Sequence, residues 1–364
     1  MRRTSALIVG GGPAGTAAAI GLARIGTRAL LLERSRVAED ALCGGFLSWR
    51  TLDTLDRLGV EADTLNRARI VRTRVMAGDH VREAPLPRPA LAVSRRRLDA
   101  LLLARAARVA DVERGVSVRA MEEGAIRTAD GARLAGDALF LATGKHDLRG
   151  LARPEGARGA DPTLGLRVRL GPHRRLATLV DDAIELHLFD RGYAGLVMQE
   201  DGTANLCLAV HRSRLAEAAT PQALLASLAS ETPRLGDRLA FMNPGTAIDA
   251  IANVPYGWRA REGQAGLFRL GDQAGVIPSL AGEGMGIALA SGLSAAAAHG
   301  RGGATASKSW QSAFARQLAR PIGVAGLVRD VAESRVAPAI IRLMPNAAIT
   351  GIAHATRVGG QAAC

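Results

Sequence analysis

Short apolar blocks at the start of the chain alternate with glycine-rich and alanine-rich sequence. Residues 6–9 are apolar and mostly branched, and a glycine cluster and an alanine-rich segment follow them directly. Residues 27–32 form a second, mostly apolar block that ends at Glu33. Apolar blocks of this length, separated by glycine-rich and alanine-rich sequence, predict a strand, a tight turn, a helix and a second strand.

The same pattern returns twice later in the chain. Residues 136–144 and 266–275 each predict a strand that runs into a glycine turn, and a small-residue helix is predicted over residues 287–298. Between these two regions the pattern changes to short alternating pieces, which indicate an antiparallel sheet. The pieces are residues 164–170, 177–180, 184–189, 193–198 and 204–210, and one helix is predicted at residues 221–230.

The remaining segments predict one further helix, a loop and a helical end. Ser94 can cap a helix over residues 99–109, and Pro85, Pro87 and Pro89 predict a loop before residues 90–93. Residues 307–358 predict apolar helices that are interrupted by prolines.

We therefore expect an α/β fold with a Rossmann-like dinucleotide-binding domain, an inserted antiparallel-sheet domain for the substrate, and C-terminal helices. The expected nucleotide domain is discontinuous and comprises residues 1–75, 95–155 and 262–300. The expected substrate domain comprises residues 76–94 and 156–261, and residues 301–364 are expected to form a helical cover.

The first glycine cluster has the spacing of a diphosphate-binding turn. Gly10 permits the turn, Gly12 lets the backbone approach a pyrophosphate, and Gly15 lets the helix pack close to the strand. Glu33 ends the next strand, where a carboxylate can accept hydrogen bonds from a ribose. The order of these elements predicts a dinucleotide site.

Composition narrows the possible partners. The chain has 364 residues and a formal net charge of +13, and almost all of its positive charge is arginine, since the lysines are Lys145 and Lys308 alone. The arginines are scattered and aromatic residues are few, which argues against a nucleic-acid partner. A solvated basic surface, an acidic substrate, a basic site for a partner or contact with a membrane surface all fit this charge.

Cysteine usage indicates the compartment. Cys43, Cys207 and Cys364 lack the spacing of a metal site, and so sparse a set is typical of reducing compartments, so we expect a cytoplasmic protein without a bound metal. Residues 336–353 form the longest apolar stretch, but prolines and an arginine interrupt it, so we expect no membrane span.

The turn at Cys43, Gly44 and Gly45 is a second candidate site. Adjacent glycines between apolar segments indicate backbone that approaches a flat or bulky group. Cys43 itself fits either a small buried residue or a reactive thiol, and the sequence leaves both open.

Four motifs in a fixed order resemble the p-hydroxybenzoate hydroxylase-like FAD-dependent oxidoreductases. They are the glycine cluster with Glu33 and Arg34, Arg95-x-x-Leu98-Asp99, Ala142-Thr143-Gly144, and Gly271-Asp272 followed by Pro278 and residues 282–286. The resemblance is greatest to the branch that contains geranylgeranyl reductases, flavin-dependent halogenases and tailoring monooxygenases. It implies FAD as the cofactor.

The resemblance also implies roles for single residues. Asp272 would accept hydrogen bonds from the ribitol, Arg95 would neutralise the pyrophosphate, and the 282–286 glycines would face the flavin ring at a helix start, where the helix dipole favours negative charge. The expected cofactor-binding residues are Gly10, Gly12, Pro13, Ala14, Gly15, Glu33, Arg34, Arg95, Ala142, Thr143, Gly144, Gly271, Asp272, Pro278, Gly282, Gly284, Met285 and Gly286.

The choice of reaction depends on two smaller motifs. Cys43-Gly44-Gly45 is similar to the cysteine-containing turn of geranylgeranyl reductases and is the candidate catalytic segment. Those reductases carry Tyr-x-Trp-x-Phe-Pro in the inserted sheet, whereas Gly192–Val197 keeps Tyr193 and lacks the tryptophan and the Phe-Pro. The Trp-x-Trp-x-Ile-Pro of the related halogenases is missing as well.

These departures favour an NAD(P)H- and oxygen-dependent monooxygenase that hydroxylates an aromatic or polyketide-like small molecule, with NAD(P)H as a transient reductant. The alternatives are a flavin ene reductase, a halogenase and a non-catalytic FAD-binding module. Phe46, Tyr193 and Met198 are the candidate substrate contacts, and each of them also fits a place in the core.

Overall fold

Two β-sheets organise the chain, and the computed structural model describes residues 2–359. Cys364 lies outside this range. The strands are β1 (Arg2–Val9), β2 (Leu30–Glu33), β3 (Phe46–Leu47), β4 (Ile70–Ala77), β5 (His80–Ala92), β6 (Asp111–Arg114), β7 (Val118–Glu122), β8 (Ala125–Thr128), β9 (Arg133–Leu141), β10 (Thr163–Leu170), β11 (Ala183–Phe189), β12 (Gly192–Met198), β13 (Ala204–His211), β14 (Asp249–Val254) and β15 (Leu267–Arg269).

Thirteen α-helices surround the sheets in the described part of the chain. They are α1 (Pro13–Arg24), α2 (Trp49–Arg57), α3 (Ala62–Leu65), α4 (Arg95–Ala106), α5 (Arg174–Val180), α6 (Arg212–Ala218), α7 (Pro221–Glu231), α8 (Pro233–Leu239), α9 (Gly284–Gly302), α10 (Ser307–Gln317), α11 (Ala319–Ala332), α12 (Ala337–Leu343) and α13 (Asn346–Ala355).

The first sheet carries the nucleotide-binding motifs. Its strands follow the order β6-β2-β1-β9-β8-β7, with β15 also paired to β9, and β6, β2, β1, β9 and β15 are mutually parallel. Side chains alternate along β1, so Ala6 and Ile8 face α1 and α9 while Leu7 and Val9 fill the core on the other face. Burial on both faces explains the continuous apolar run. The predicted α/β fold is confirmed.

The second sheet is mainly antiparallel, with the order β14-β10-β13-β12-β11-β4-β5-β3. Only the β11–β4 pair is parallel among the pairs of this sheet within residues 2–359. One face packs against α5, α7 and α8 through leucines such as Leu176, Leu224 and Leu235. The opposite face packs against the C-terminal helices through residues that include Tyr193 and Ile341.

The C-terminal helices contact both halves of the molecule. Trp310 and Phe314 of α10 join the core between the first sheet and α9, whereas Ala337 and Ile341 of α12 join the core on the second sheet. Pro321 and Pro338 lie in the first turns of their helices, where proline needs no hydrogen-bond partner for its nitrogen. In residues 2–359, no helix is both long and apolar enough to cross a membrane.

Two sequence predictions in the second sheet are wrong in detail. The expected boundary after residue 75 falls inside β4, which pairs with β5 and β11, so the change of sheet comes before Ile70. Residues 177–180, expected as a strand, belong to α5, in which Leu176 and Val180 are buried one helical turn apart. A four-residue window is too short to separate the two periods.

The three prolines expected in a loop lie inside β5 instead. Pro85, Pro87 and Pro89 alternate, so their missing N–H groups all belong to one edge of the strand. The two residues of β3 pair only with Leu91 and Ala92, which leaves that stretch of β5 without a partner on one side. An edge strand can therefore accommodate them.

Candidate functional site

The turn between β1 and α1 forms the predicted diphosphate cradle. Gly15 is required by close packing, because a Cβ atom at this position would lie 1.9 Å from the carbonyl oxygen of Gly10. Gly12 precedes α1 and Pro13 is its first residue, and no side chain caps the N–H groups of the first turn. With no acidic residue there either, the helix start suits an anion.

Glu33 ends β2 beside this cradle. Its carboxylate accepts hydrogen bonds from the backbone N–H of Gly11 at 2.6 Å and of Ser35 at 2.8 Å. The acid is thus held next to the glycine turn, where the sequence places a ribose, and the neighbouring Arg34 is exposed.

Arg95 is the arginine that reaches the cradle. Ser94 caps α4 by accepting a hydrogen bond from the N–H of Arg97, which orients Arg95 on the first turn. Its Nη2 lies 2.7 Å from Oδ2 of Asp99 and 3.4 Å from where a Cβ on Gly12 would be. Burial lowers the pKa of Arg95, but the Asp99 carboxylate outweighs burial and raises it, so this guanidinium stays charged. Arg97 bonds the carbonyl of Thr64 instead.

The carboxyl ends of the parallel strands β9 and β15 bring two further motifs together. Ala142, Thr143 and Gly144 follow β9, while Gly271 and Asp272 follow β15 in a short 3-10 turn. The side chain of Gln273 donates to the carbonyls of Gly144 at 3.0 Å and His146 at 3.0 Å. Crevices at this edge are where open α/β sheets bind ligands.

Two basic residues that the sequence analysis did not select complete this edge. Arg153 is buried and donates to the carbonyls of Asp272 at 3.0 Å and Lys145 at 2.6 Å. The Nζ of Lys145 lies 3.5 Å from Oδ2 of Asp272. The sequence offered one indication of Lys145, which is that it is one of only two lysines in an arginine-rich chain.

Residues 278–286, which we call the glycine loop, run from Pro278 into the start of α9. Gly282 has φ +61°, and a Cβ there would lie 2.7 Å from the ring of Phe46, so Phe46 is packed directly behind the loop. A Cβ on Gly284 would meet nothing within 4 Å, which shows that the loop has one open side. Met285 and Gly286 are buried in the first turn of α9.

Glu283 and Arg357 fix the glycine loop from behind. The guanidinium of Arg357 donates to the carbonyl of Ala281 at 2.6 Å and to Oε2 of Glu283 at 2.5 Å. Ser48 also donates to Glu283 at 2.9 Å, and the backbone N–H of Val358 donates to it at 3.2 Å. Both charged side chains are almost fully buried, so the C-terminal segment is part of the construction of the site.

The Cys43 turn is held by the second sheet. Its carbonyl accepts hydrogen bonds from the Asn205 amide at 2.9 Å and the Cys207 thiol at 3.1 Å, while the N–H of Gly45 donates to the Cys43 sulfur at 3.5 Å. Burial raises the pKa of Cys207 to about 12, so this cysteine stays a thiol. A Cβ on Gly44 would meet nothing within 4 Å, so the turn also presents an open side.

Tyr193 positions the glycine loop. The side chain is 2% exposed, its hydroxyl lies 2.7 Å from Oγ of Ser279, and it accepts the N–H of Leu280 at 3.1 Å. Tyr256, which the sequence analysis missed, donates to the same Ser279 at 2.8 Å. Phe46 is 6% exposed and Tyr193 is more buried still, so both pack against the loop.

Met198 lies on the other face of the sheet from Tyr193. It packs with Leu196 and Leu206 against the helices on the far side, and Met242 contacts the same core. Side chains alternate along a strand, and Tyr193 and Met198 are an odd number of residues apart. Met198 therefore lies in the core on the face away from the glycine loop, and its contact with a substrate stays a prediction.

The residues present fit an extended dinucleotide with a planar end group. The cradle and Arg95 provide for the diphosphate, Asp272 provides an acceptor, and the open sides of Gly44 and Gly284 leave bare backbone for a flat ring. The catalytic role of Cys43, Gly44 and Gly45 stays a prediction.

Comparisons with known proteins agree with this geometry. Residues 3–147 match the model of the FAD binding domain family. No protein with curated annotation has a significant match to the chain.

Several solved structures share the fold over nearly the whole chain. A flavoprotein/dehydrogenase from Cytophaga hutchinsonii is 16% identical at a TM-score of 0.80, over 97% of this chain and 93% of its own. A probable FAD-dependent monooxygenase, pqsL from Pseudomonas aeruginosa, is 16% identical at a TM-score of 0.72, over 94% and 100%. A geranylgeranyl bacteriochlorophyll reductase-like protein from Thermoplasma acidophilum is 19% identical at a TM-score of 0.69, over 99% and 94%.

Proposed function

We propose that this chain is a FAD-dependent oxidoreductase of the p-hydroxybenzoate hydroxylase-like superfamily and, within it, an NAD(P)H- and oxygen-dependent monooxygenase that hydroxylates an aromatic or polyketide-like substrate. FAD, when bound, supplies the redox chemistry, and the protein supplies binding, orientation and exclusion of water. The few cysteines support a cytoplasmic location as part of this proposal.

The observation that carries the proposal is that β12 has room for a side chain at Gly195. This residue lies between Tyr193 and Val197 on the face toward the glycine loop, at the position where the reductase pattern has tryptophan. A Cβ built on Gly195 would have no neighbour nearer than 3.8 Å. The space supports a compact planar substrate beside the glycine loop, where a tryptophan would otherwise stand.

Several groups of this chain would orient a substrate there. Tyr193, Ser279 and Tyr256 are joined by hydrogen bonds of 2.7 and 2.8 Å, which fix the loop and leave the ring of Tyr256 half-buried beside it. Buried apolar residues, among them Phe46 and Val197, line the sheet side and exclude water.

The test is oxygen dependence with isotope labelling. Candidate phenols and polyketide-like aromatics are incubated with FAD-loaded enzyme and NADH or NADPH, under ¹⁸O₂ and under nitrogen. The proposal predicts faster nicotinamide oxidation with substrate, and a product that gains one ¹⁸O only under oxygen. Reduction of a substrate double bond under nitrogen would replace the proposal by the reductase, and halide-dependent products would replace it by the halogenase.

The ene reductase is the second candidate, and the Cys43 turn favours it. This turn sits beside the charges of Arg95 and Lys145 with its Gly44 side open, which would suit a cysteine that acts on a substrate or on the flavin. Replacing Cys43 by serine separates the two: the reductase requires the thiol, whereas the hydroxylase proposal predicts that most activity remains.

A further inference from the structure

Lys145 lies where the nucleotide-binding half meets the substrate sheet. It follows the turn after β9, its side chain is 28% exposed, and its Nζ is 3.5 Å from Oδ2 of Asp272. The other lysine, Lys308, is exposed at the start of α10, far along the chain.

The charges around Lys145 come from several separate segments. Asp272 raises the pKa of Lys145, burial lowers it, the neighbouring Cys43 and Tyr256 raise it further, and Arg95 opposes them. The net effect is a raised pKa, so the ammonium is charged at neutral pH. Arg95 is paired with Asp99 beside Gly12 of the cradle. Lys145 is paired instead with Asp272, the acid expected at the ribitol, which places its charge on the flavin side of the diphosphate.

The pair of Lys145 and Asp272 has unused hydrogen-bonding capacity. Within residues 2–359 the Asp272 carboxylate accepts no hydrogen bond from a protein donor, and the Lys145 ammonium donates none. By contrast, the backbone around Lys145 is fixed, because its carbonyl accepts from Arg153 at 2.6 Å and those of Gly144 and His146 accept from Gln273. The backbone is therefore rigid, while the partly exposed ammonium and carboxylate keep polar atoms free to contact a ligand, as expected of a binding site.

We propose that Lys145 is a positioning residue of the flavin site, which holds the Asp272 carboxylate toward the cofactor and places a positive charge beside it. A cation at this end stabilises the reduced form, which carries more negative charge than the oxidised form. The inference rests on FAD binding in the cleft and is independent of whether the reaction is hydroxylation or reduction.

The test compares three variants of the FAD-loaded enzyme. Lys145→Met removes the charge at similar length, Lys145→Arg retains it, and Lys308→Met is the matched control at the exposed lysine. For Lys145→Met we expect FAD binding to weaken by about tenfold, as for the loss of one charge-assisted hydrogen bond. Its flavin midpoint potential should become more negative, Lys145→Arg should recover the potential, and Lys308→Met should match the wild type.

Amine labelling gives a second readout that does not depend on activity. FAD should protect Lys145 from acetylation, measured by peptide mass spectrometry, while Lys308 reacts equally with and without FAD. The proposal would be overturned if Lys145→Met bound FAD with the affinity and midpoint potential of the wild type, and if FAD did not protect Lys145 from acetylation in the wild type. Lys145 would then only pair with Asp272. If the wild type bound no FAD, the cofactor site itself would be overturned. If Lys145→Met shifted the flavin potential but the wild type hydroxylated no substrate, only the proposed reaction would be overturned.

Discussion

Gly195 is the residue whose replacement tests where the substrate lies. A Cβ on Gly195 would clash with nothing, and its nearest neighbour would be Leu186 at 3.8 Å. Gly195→Trp should fill this space and raise the KM for substrate by at least about tenfold, as expected when a pocket loses room for part of its ligand. FAD content and reduction by nicotinamide without substrate should be unchanged.

The control for this substitution is Gly351→Trp, which adds the same bulk at an exposed position of α13 with no neighbour within 4 Å. The KM would be measured by steady-state kinetics with a compound that the wild-type enzyme hydroxylates. An unchanged KM in Gly195→Trp would move the substrate away from β12.

Single residues also show what the sequence could predict. Gly15 and Glu33 could be placed because their roles follow from local spacing within one strand–helix–strand unit. Lys145 and Tyr256 could not, because their importance arises only when distant segments meet. The sequence could also have shown that Met198 and Tyr193 face opposite sides of the sheet, since they are an odd number of residues apart on one strand.

At the scale of secondary-structure elements, a buried charge cluster ties β11 to α8. Glu185 is fully buried, and its carboxylate accepts from Arg238 at 2.8 Å and from Arg74 of β4 at 2.7 Å. His187 lies 3.3 Å from the same carboxylate. Burial raises the pKa of Glu185, but the hydrogen bonds from His187 and Arg238 outweigh it and lower the value to about 2.

This cluster makes stability depend on pH in a definite direction. Burial lowers the pKa of His187 below 6.5, so the unfolded chain binds the proton more readily than the folded chain. The free energy of unfolding should therefore fall as the pH drops below about 6.5, and fall further below 4.5 as the depressed pKa of Glu185 takes effect. Chemical denaturation between pH 3 and pH 8 would measure it.

Glu185→Gln should lower the free energy of unfolding by about 3–5 kcal/mol, because it leaves the buried Arg238 without its countercharge, whereas Arg74 keeps Glu83 at 2.8 Å. Glu217→Gln is the matched control, since Glu217 pairs with Arg191 in an exposed position and its loss should change little. A wild-type unfolding free energy in Glu185→Gln would show that the buried arginines find other partners.

The link between the C-terminal segment and the glycine loop is a second feature at this scale. Arg357 bonds two carbonyls of the loop and the buried Glu283. Arg357→Met should loosen the loop, so amide hydrogen exchange over residues 278–286 should accelerate by about tenfold or more, since charged hydrogen bonds contribute about 1.5–3 kcal/mol each. Arg342→Met, at an exposed position of α12, is the control. Unchanged exchange in the Arg357 variant would mean that Glu283 and Ser48 hold the loop without it.

Helices and strands were predicted correctly where several consecutive residues repeat one hydrophobic pattern. They were predicted wrongly where the pattern covers only a few residues. The continuous apolar run of β1 reflects burial on both faces and could be assigned with its helix. The short α5 and the proline-bearing β5 depend on the packing of Leu176 and on a missing neighbour strand, and neither is visible in the local sequence.

At the scale of the whole molecule, exposed apolar side chains collect on the C-terminal helices of a chain whose formal net charge is +13. Eight large hydrophobic side chains are conspicuously exposed in residues 2–359, and four of them, Leu327, Val331, Val336 and Leu343, lie within the stretch 327–343. Arg335, whose side chain is 85% exposed, and the exposed Arg342 lie in or next to α12. Apolar side chains among arginines are typical of a surface that docks on anionic lipid.

We therefore propose that this face of α11 and α12 binds an anionic bilayer. The wild type should float with vesicles that contain phosphatidylglycerol, float less with phosphatidylcholine alone, and dissociate as salt screens the arginines. The double substitution Leu327→Gln and Leu343→Gln should reduce flotation strongly, because these two leucines are 71% and 81% exposed. Leu179→Gln, at an exposed leucine of α5, is the control. If the wild type did not float with anionic vesicles, the proposal would be wrong, and these helices would only cover the two sheets.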